Sequence, residues 1–174
     1  MGFGLSNDER LGRVAEFEPA FRIATEAGLL AVPHSGFYTG ADHVRDCVEL
    51  LGAHRIGHGT SAVADPQVLE LLRERGVALE VCPTSYPPFG VHELATVPVP
   101  ALLDAGVAVA LASDDPLLFG TGLAGQYEIA RDLLGLSDHQ LAALAADSIR
   151  CSAAPPQIRD ELLRGVRGWL EASS

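Results

Sequence analysis

An α/β fold with a parallel sheet, the C-terminal portion of a (β/α)8 barrel, is predicted by three observations. Apolar runs of strand length alternate with amphipathic helical segments at roughly 20 to 35 residue spacing. The runs are apolar throughout rather than alternating, as expected of strands covered on both faces. Polar, chemistry-bearing residues (His34, His58, the Glu80 to Thr84 stretch and Asp114) fall where those runs end, the active rim of such a barrel.

The elements follow in order. "GFGL" (2–5) is a short apolar run. "EFEPAFRIATEAG" (16–28) has helical spacing at Phe17, Phe21, Ile23 and Ala24, with a closing glycine suited to a C-cap. "LLAVPH" (29–34) is a strand with its proline near the end. "GADHVRDCVELLGA" (40–53) puts Val44, Val48 and Leu51 on one helical stripe, and "RIGHG" (55–59) is a short strand. In "DPQVLELLRERG" (65–76), Asp65 is an N-cap, Pro66 takes the first helical position and Gly76 ends the helix. "VALEVCP" (77–83) is a strand, "VPALLDAG" (99–106) a short helix and "VAVALAS" (107–113) another buried strand. Three helices follow between about 121 and 171, one capped by Ser137.

Four clear strands and one fragmentary one make half of a barrel, which needs eight strands and about 250 residues. The expectation is a single partial domain over 1–174, a half-barrel whose open sheet edges call for association with a second copy or a complementary N-terminal half.

Bulk composition agrees with a globular chain: 174 residues, 48% hydrophobic and 20% charged. The net charge is −11 and every one of the twelve cations is arginine. An acidic chain lacks the basic footprint that nucleic acid or an anionic membrane requires as principal partner. Cys47, Cys82 and Cys151 are odd in number and widely spaced, so they read as reduced thiols. The N-terminus shows no basic segment leading into an apolar core, and no apolar stretch reaches about 18 residues; the expected location is the cytoplasm.

Three motifs could carry chemistry. "ALASDDPLLFG" (110–120) sets Asp114 and Asp115 side by side after a buried strand, where neighbouring carboxylates usually share a cation or a hydrogen-bonding ligand. The competing reading is a solvated loop in which one of them caps the next helix. "RIGHGT" (55–60) holds His58 between two glycines that let the backbone approach a ligand; a structural histidine is the alternative. "AVPHSGFYTG" (31–40) delivers His34 to a strand end, yet the next side chains able to reach a substrate are Phe37 and Tyr38, which carry no carboxylate. His43, His54, His92 and His139 read as surface residues. Histidines and an aspartate converging at successive strand ends suit a divalent metal such as zinc, which would lower the pKa of bound water.

These stretches, with "GFGLSNDER" and "LEVCPTSYP", resemble the adenosine deaminase family of zinc-dependent purine deaminases, in the family's order and across nearly the whole chain. Within it the pattern is most similar to actinobacterial adenosine or aminodeoxyfutalosine deaminases. The resemblance implies zinc ligation by His34 and Asp114, orientation and deprotonation of the metal-bound water by His58, and a bond from Asp115 to the purine ring. The implied reaction is hydrolytic deamination at C6 of an adenine ring in a nucleoside, releasing ammonia.

The departures carry equal weight. The family's His-x-His has no counterpart, the motif glutamate that protonates the ring aligns with Phe37, the glycine of the "GDE"-like turn is Asn7, and the asparagine after "CPTS" is Tyr86. Losing a general acid commonly slows a reaction by roughly 10² to 10⁴-fold, about 3 to 5 kcal/mol of barrier. With His34 and Asp114 alone, the expectation is a chain that binds no stoichiometric zinc and deaminates no adenosine. The alternative is a non-catalytic half-barrel that serves as an interaction module.

Overall fold

The computed structural model describes residues 1–173. Five strands, β1 (Gly2–Leu5), β2 (Leu30–Ser35), β3 (Arg55–His58), β4 (Ala78–Val81) and β5 (Val109–Leu111), form one sheet in the order β1-β2-β3-β4-β5. Every neighbouring pair is parallel. Spatial order equals chain order, with no reversal. That is the winding of a (β/α) barrel rather than of a doubly wound sheet. The sheet with its helices is thus a partial barrel, and all five apolar runs are strands.

Helices α1 (Glu18–Glu26), α2 (Ala41–Leu51), α3 (Pro66–Arg75) and α4 (Val99–Asp104) return the chain between successive strands. Their ends follow local chemistry. Asp65 Oδ1 accepts from the Gln67 amide at 2.9 Å, Pro66 enters without needing a donor, and Gly76 closes α3 in the left-handed conformation at φ 63°. Beyond β5 come α5 (Pro116–Phe119), α6 (Leu123–Asp132), α7 (Asp138–Arg150) and α8 (Pro156–Ser173). Ser137 and Gln140 form a reciprocal capping box at the start of α7. The segment 116–119 is helical and Asp115 caps it through the Leu118 amide, which is the capping role that the competing reading of the "DDP" turn assigned to one of the two aspartates.

The core lies between the sheet and its helices. Val44 of α2, Val68 and Leu72 of α3, and Ile56 and Leu79 of the strands are fully buried. Each such aliphatic side chain stabilises the fold by about 1.5–3 kcal/mol. Phe3 of β1 meets Phe21 of α1 edge to face, at a ring separation of 4.9 Å. None of the described helices is long and apolar enough to cross a membrane.

Glu80, expected on the rim, is instead engaged along the sheet. It pairs with Arg55 of β3 at 2.8 Å, and the Arg55 guanidinium also donates to the Cys151 carbonyl behind α7. A rim aspartate points out past its strand, whereas Glu80 lies within β4, hydrogen-bonded between two neighbours.

Candidate functional site

Parallel strands bring all their C-terminal ends to one side, so the residues that follow them must cluster there. A cavity of about 430 Å³ opens at that side; His34, Phe37, His58, Phe89, Asp114 and Phe119 are among the residues lining it. Asp115, the other carboxylate of the "DDP" turn, lines it too. The three candidates drawn from separate motifs are therefore neighbours in space.

The backbone at this rim is strained. Among the described residues, the non-glycine positions with positive φ are Asn7 (83°), His58 (65°) and Asp114 (55°), and all three line the cavity. Such conformations cost of order 1–3 kcal/mol each and are kept where the surroundings over-determine them. Gly59, next to His58, has φ +69°, and a Cβ there would lie 2.4 Å from Leu79 Cδ2. Glycine is needed for the β3 exit to pass over β4.

His34 sits at the end of β2 with its Nδ1 2.9 Å from Glu9 Oε2. Glu9 was not singled out by its residue type or spacing, yet it organises the rim. Its other oxygen, Oε1, accepts from the amides of Phe37 (2.8 Å), Tyr38 (2.5 Å) and Thr39 (2.7 Å) and from Thr39 Oγ1 (2.8 Å). Burial raises the carboxyl pKa, but the bonds from His34, Thr39 and Tyr38 outweigh it and bring the value down to about 2. Glu9 thus stays ionised, ties the loop after β2 to the turn after β1, and leaves His34 Nε2 free.

His58 is buried; its Nδ1 lies 3.3 Å from the Tyr86 hydroxyl and its Nε2 3.8 Å from Asp114 Oδ2. Burial, then the neighbouring His34, push its pKa down to about 3, so the imidazole is neutral at physiological pH. Tyr86, fully buried, also accepts from the Cys82 amide at 3.3 Å. Cys82 lies directly after β4; burial pushes its thiol up to about 12. A strand-end rule applied residue by residue would have found it inside the Glu80 to Thr84 stretch. The ligand atoms of His58, Cys82 and Asp114 all lie within 4.8 Å of one another, and His34 is not part of that group.

Phe37 occupies the centre of an aromatic cluster. Its ring centroid is 4.6 Å from His58, 5.6 Å from His34, 5.5 Å from Tyr86 and 5.7 Å from Phe89. Phe89 continues the cluster to Phe119 at 6.2 Å. Phe89 and Phe119 were also missed, since an aromatic in a short connecting segment carries no local mark of what it faces.

Two histidines expected on the surface are half-buried and specifically bonded. His43 Nδ1 lies 2.7 Å from Ser35 Oγ, and His92 Nε2 lies 3.1 Å from Thr60 Oγ1, its ring packed edge-on to Tyr86. Both are held beneath the rim by short polar neighbours that helix periodicity does not reveal. His54 and His139 are exposed as expected.

A family model described as adenosine deaminase matches residues 1–169. A Streptomyces coelicolor protein provisionally named adenosine/adenine deaminase is 53% identical over 173 residues, covering 99% of this chain and 50% of the relative. The aminodeoxyfutalosine deaminase of Streptomyces avermitilis is 42% identical over 175 residues, covering 98% of this chain and 49% of its own length. Among solved structures, the adenine deaminase of Arthrobacter aurescens superimposes with a TM-score of 0.92 at 34% identity, over 98% of this chain and 52% of that one. The chain spans about half the length of the relatives it matches. With the parallel arc of strands and this rim already in place, these matches settle the relationship: the chain belongs to the adenosine deaminase family.

Proposed function

We propose that this chain contributes the second half of a deaminase-type site, which takes up a 6-aminopurine base or nucleoside but does not itself deaminate it. The observation that carries this reading is the Phe37 ring, packed 4.6 Å from His58 where a proton-donating carboxylate would be needed. Hydrolytic deamination of an adenine ring must protonate the ring as water adds. A phenyl ring supplies no proton.

Binding needs less. Phe37, Phe89 and Phe119 give the cavity apolar walls suited to a planar heterocycle. Asp115, beside them, is an acceptor for a ring or exocyclic N–H. Neutral His58 would approach the ring edge as a hydrogen-bonding group. His34 and Asp114 would serve as zinc ligands in the family manner only with two more from His-x-His, carried by a complementary segment or a second chain alongside β1 or β5. No catalytic step is assigned to a metal here, because these residues alone do not assemble that ligand set.

A binding role without chemistry is favoured by one pairing. Phe37 and Tyr86 both depart from the family pattern, and their rings pack at 5.5 Å with an interplanar angle of 35°. Two aromatic replacements in contact make a remodelled wall rather than scattered loss. The test is incubation of the purified 174-residue chain with adenine, adenosine and aminodeoxyfutalosine. Ammonia release is followed enzymatically, and binding by calorimetry. Saturable binding with no ammonia above blank is expected; turnover, or no binding of any of the three, overturns the proposal.

A further inference from the structure

We propose that the face made by α6, α7 and α8 is a homodimer interface, on which a second copy of this chain lays its own α8 antiparallel to the first. α6 and α8 both pack on α7, and between them runs an apolar groove of about 540 Å³. Ala142, Ala145 and Ile149 of α7 floor it, Tyr127 of α6 stands on one side, and Leu162 and Trp169 of α8 stand on the other. Among the described residues it shares none of its lining with the cavity at the strand ends. α8 runs for 18 residues, and none of those described is fully buried. Ile158, Leu162 and Trp169 fall on one helical stripe and are each between 42 and 48% exposed. A contiguous apolar surface of this kind marks an interaction site.

The occupant that fits is α8 itself. Leu162, Gly165, Val166 and Trp169 line the groove at i, i+3, i+4 and i+7, the spacing of a helix-pair seam. A two-fold axis passing between Gly165 and Val166 sets Trp169 of one protomer against Leu162 of its partner, and the reverse, which closes the assembly at two. Gly165 lies at that crossing, where an added Cβ would meet nothing within 4 Å. Glycine inside a helix is destabilising relative to alanine, and here it relieves no crowding within the protomer; what it admits is the backbone of a crossing helix.

Area and charge favour the same partner. An 18-residue helix is about 27 Å long and two helices side by side are about 20 Å wide, so the face offers roughly 550 Å² per protomer. Two such faces bury about 1,100 Å², just above the roughly 1,000 Å² that a specific interface requires, which makes the dimer a weak one. The net charge of −11 opposes self-association, but it is spread unevenly. Residues 1–120 carry seven arginines against sixteen carboxylates, and residues 121–174 carry five against seven. Two copies therefore meet with least repulsion on their helical tails. At the edge of the groove, Arg131 is paired with Asp138.

The experiment is sedimentation velocity of the 174-residue chain from about 1 μM to about 100 μM, the range of a weak interface. It is paired with the fluorescence of Trp169, the single tryptophan of the chain. A monomer–dimer equilibrium is expected, with the emission moving to longer wavelength as dilution exposes the indole. Gly165→Glu has room within the protomer, so its circular dichroism should be unchanged, yet burying an unpaired charge at the crossing should weaken the dimer by at least about 10-fold. Gly168→Glu, equally roomy but off the seam, should leave the dimer intact. Leu162→Glu, at an exposed position, gives a second break should Gly165→Glu fail to fold. A monomer at every concentration, a dimer that survives Gly165→Glu and Leu162→Glu, or emission that does not follow association overturns the assignment. A monomer whose Trp169 emission shifts on adding a medium-chain fatty acid gives the groove to a small apolar ligand, and equally overturns the dimer. Purine binding by Gly165→Glu should match that of the unaltered chain, so this proposal and the purine-binding one fail separately.

Discussion

Glu9 Oε2 lies 2.9 Å from His34 Nδ1, while Glu9 Oε1 gathers the amides of Phe37, Tyr38 and Thr39. One buried carboxylate therefore joins the exits of β1 and β2 and fixes which nitrogen of His34 faces the cavity. A neutral amide of the same shape would keep one acceptor and place an NH₂ against donors. Glu9→Gln is expected to cost about 1–3 kcal/mol in urea unfolding, and a loss below 0.5 kcal/mol, on the order of a surface substitution, would show that the loop is held by other means.

The same carboxylate gives a pH dependence with a definite sign. Its folded pKa is depressed from 4.5 to about 2. The stabilisation is therefore fully present above the unfolded value and is lost as the pH falls through the window from about 4.5 to 2. The shift corresponds to about 3 kcal/mol. Urea midpoints of chelator-treated protein, measured from pH 6 down to 3, should fall more steeply for the unaltered chain than for Glu9→Gln. Parallel curves would assign acid sensitivity to other carboxylates.

Tyr86 offers a second test, of the buried network under His58. Tyr86→Phe removes the hydroxyl that meets His58 Nδ1 and receives the Cys82 amide, with no change of ring packing. Stranding those polar groups costs about 1–3 kcal/mol. Tyr86→Asn, the residue of the family pattern, deletes a fully buried ring. It is expected to cost about 3–5 kcal/mol through the cavity left behind. Equal stability of the two variants in thermal melts would contradict this ordering.

Much of the fold was legible because its signals are local. Pro66 following Asp65, the glycines that close α2 and α3, and unbroken apolar runs such as "VAVALA" each act within one element. His34, His58 and Asp114 were legible for a related reason: a parallel sheet sends every strand end to one rim, so position along a strand implies proximity. Glu9 was not legible as the organiser of the rim. Its partners lie 25 to 30 residues away and are mostly backbone amides, which any sequence supplies. Cys82 was read as a reduced thiol and as part of the Glu80 to Thr84 rim stretch, but not as a neighbour of His58 and Asp114, because that relation depends on how the strand-end loops fold over Tyr86. His43 and His92 were misplaced for the same cause, since their partners are single hydroxyls on other elements.

Gly59 tests whether the rim backbone is over-determined. At φ +69°, with a Cβ 2.4 Å from Leu79 Cδ2, Gly59→Ala must strain the backbone and displace a buried leucine. Roughly 2–4 kcal/mol of destabilisation is expected, with Tm lowered by about 2–4 °C for each kcal/mol. An unchanged Tm would mean that the β3 exit moves freely and that the geometry around His58 is not fixed by this crossing.

Phe37→Glu places a carboxylate where the family pattern has one, yet it should not restore deamination. The new side chain would enter an aromatic cluster of Tyr38, Tyr86 and Phe89, on a residue whose own amide is already bound by Glu9. A second carboxyl near ionised Glu9 meets repulsion and desolvation together, which raises its pKa and destabilises the loop. A loss of about 1–3 kcal/mol in urea unfolding is expected, along with weaker purine binding as an apolar wall becomes polar. Ammonia release by Phe37→Glu above that of the unaltered chain would show that the acid was the one missing part, and that the ligand set available in these 174 residues already supports the chemistry.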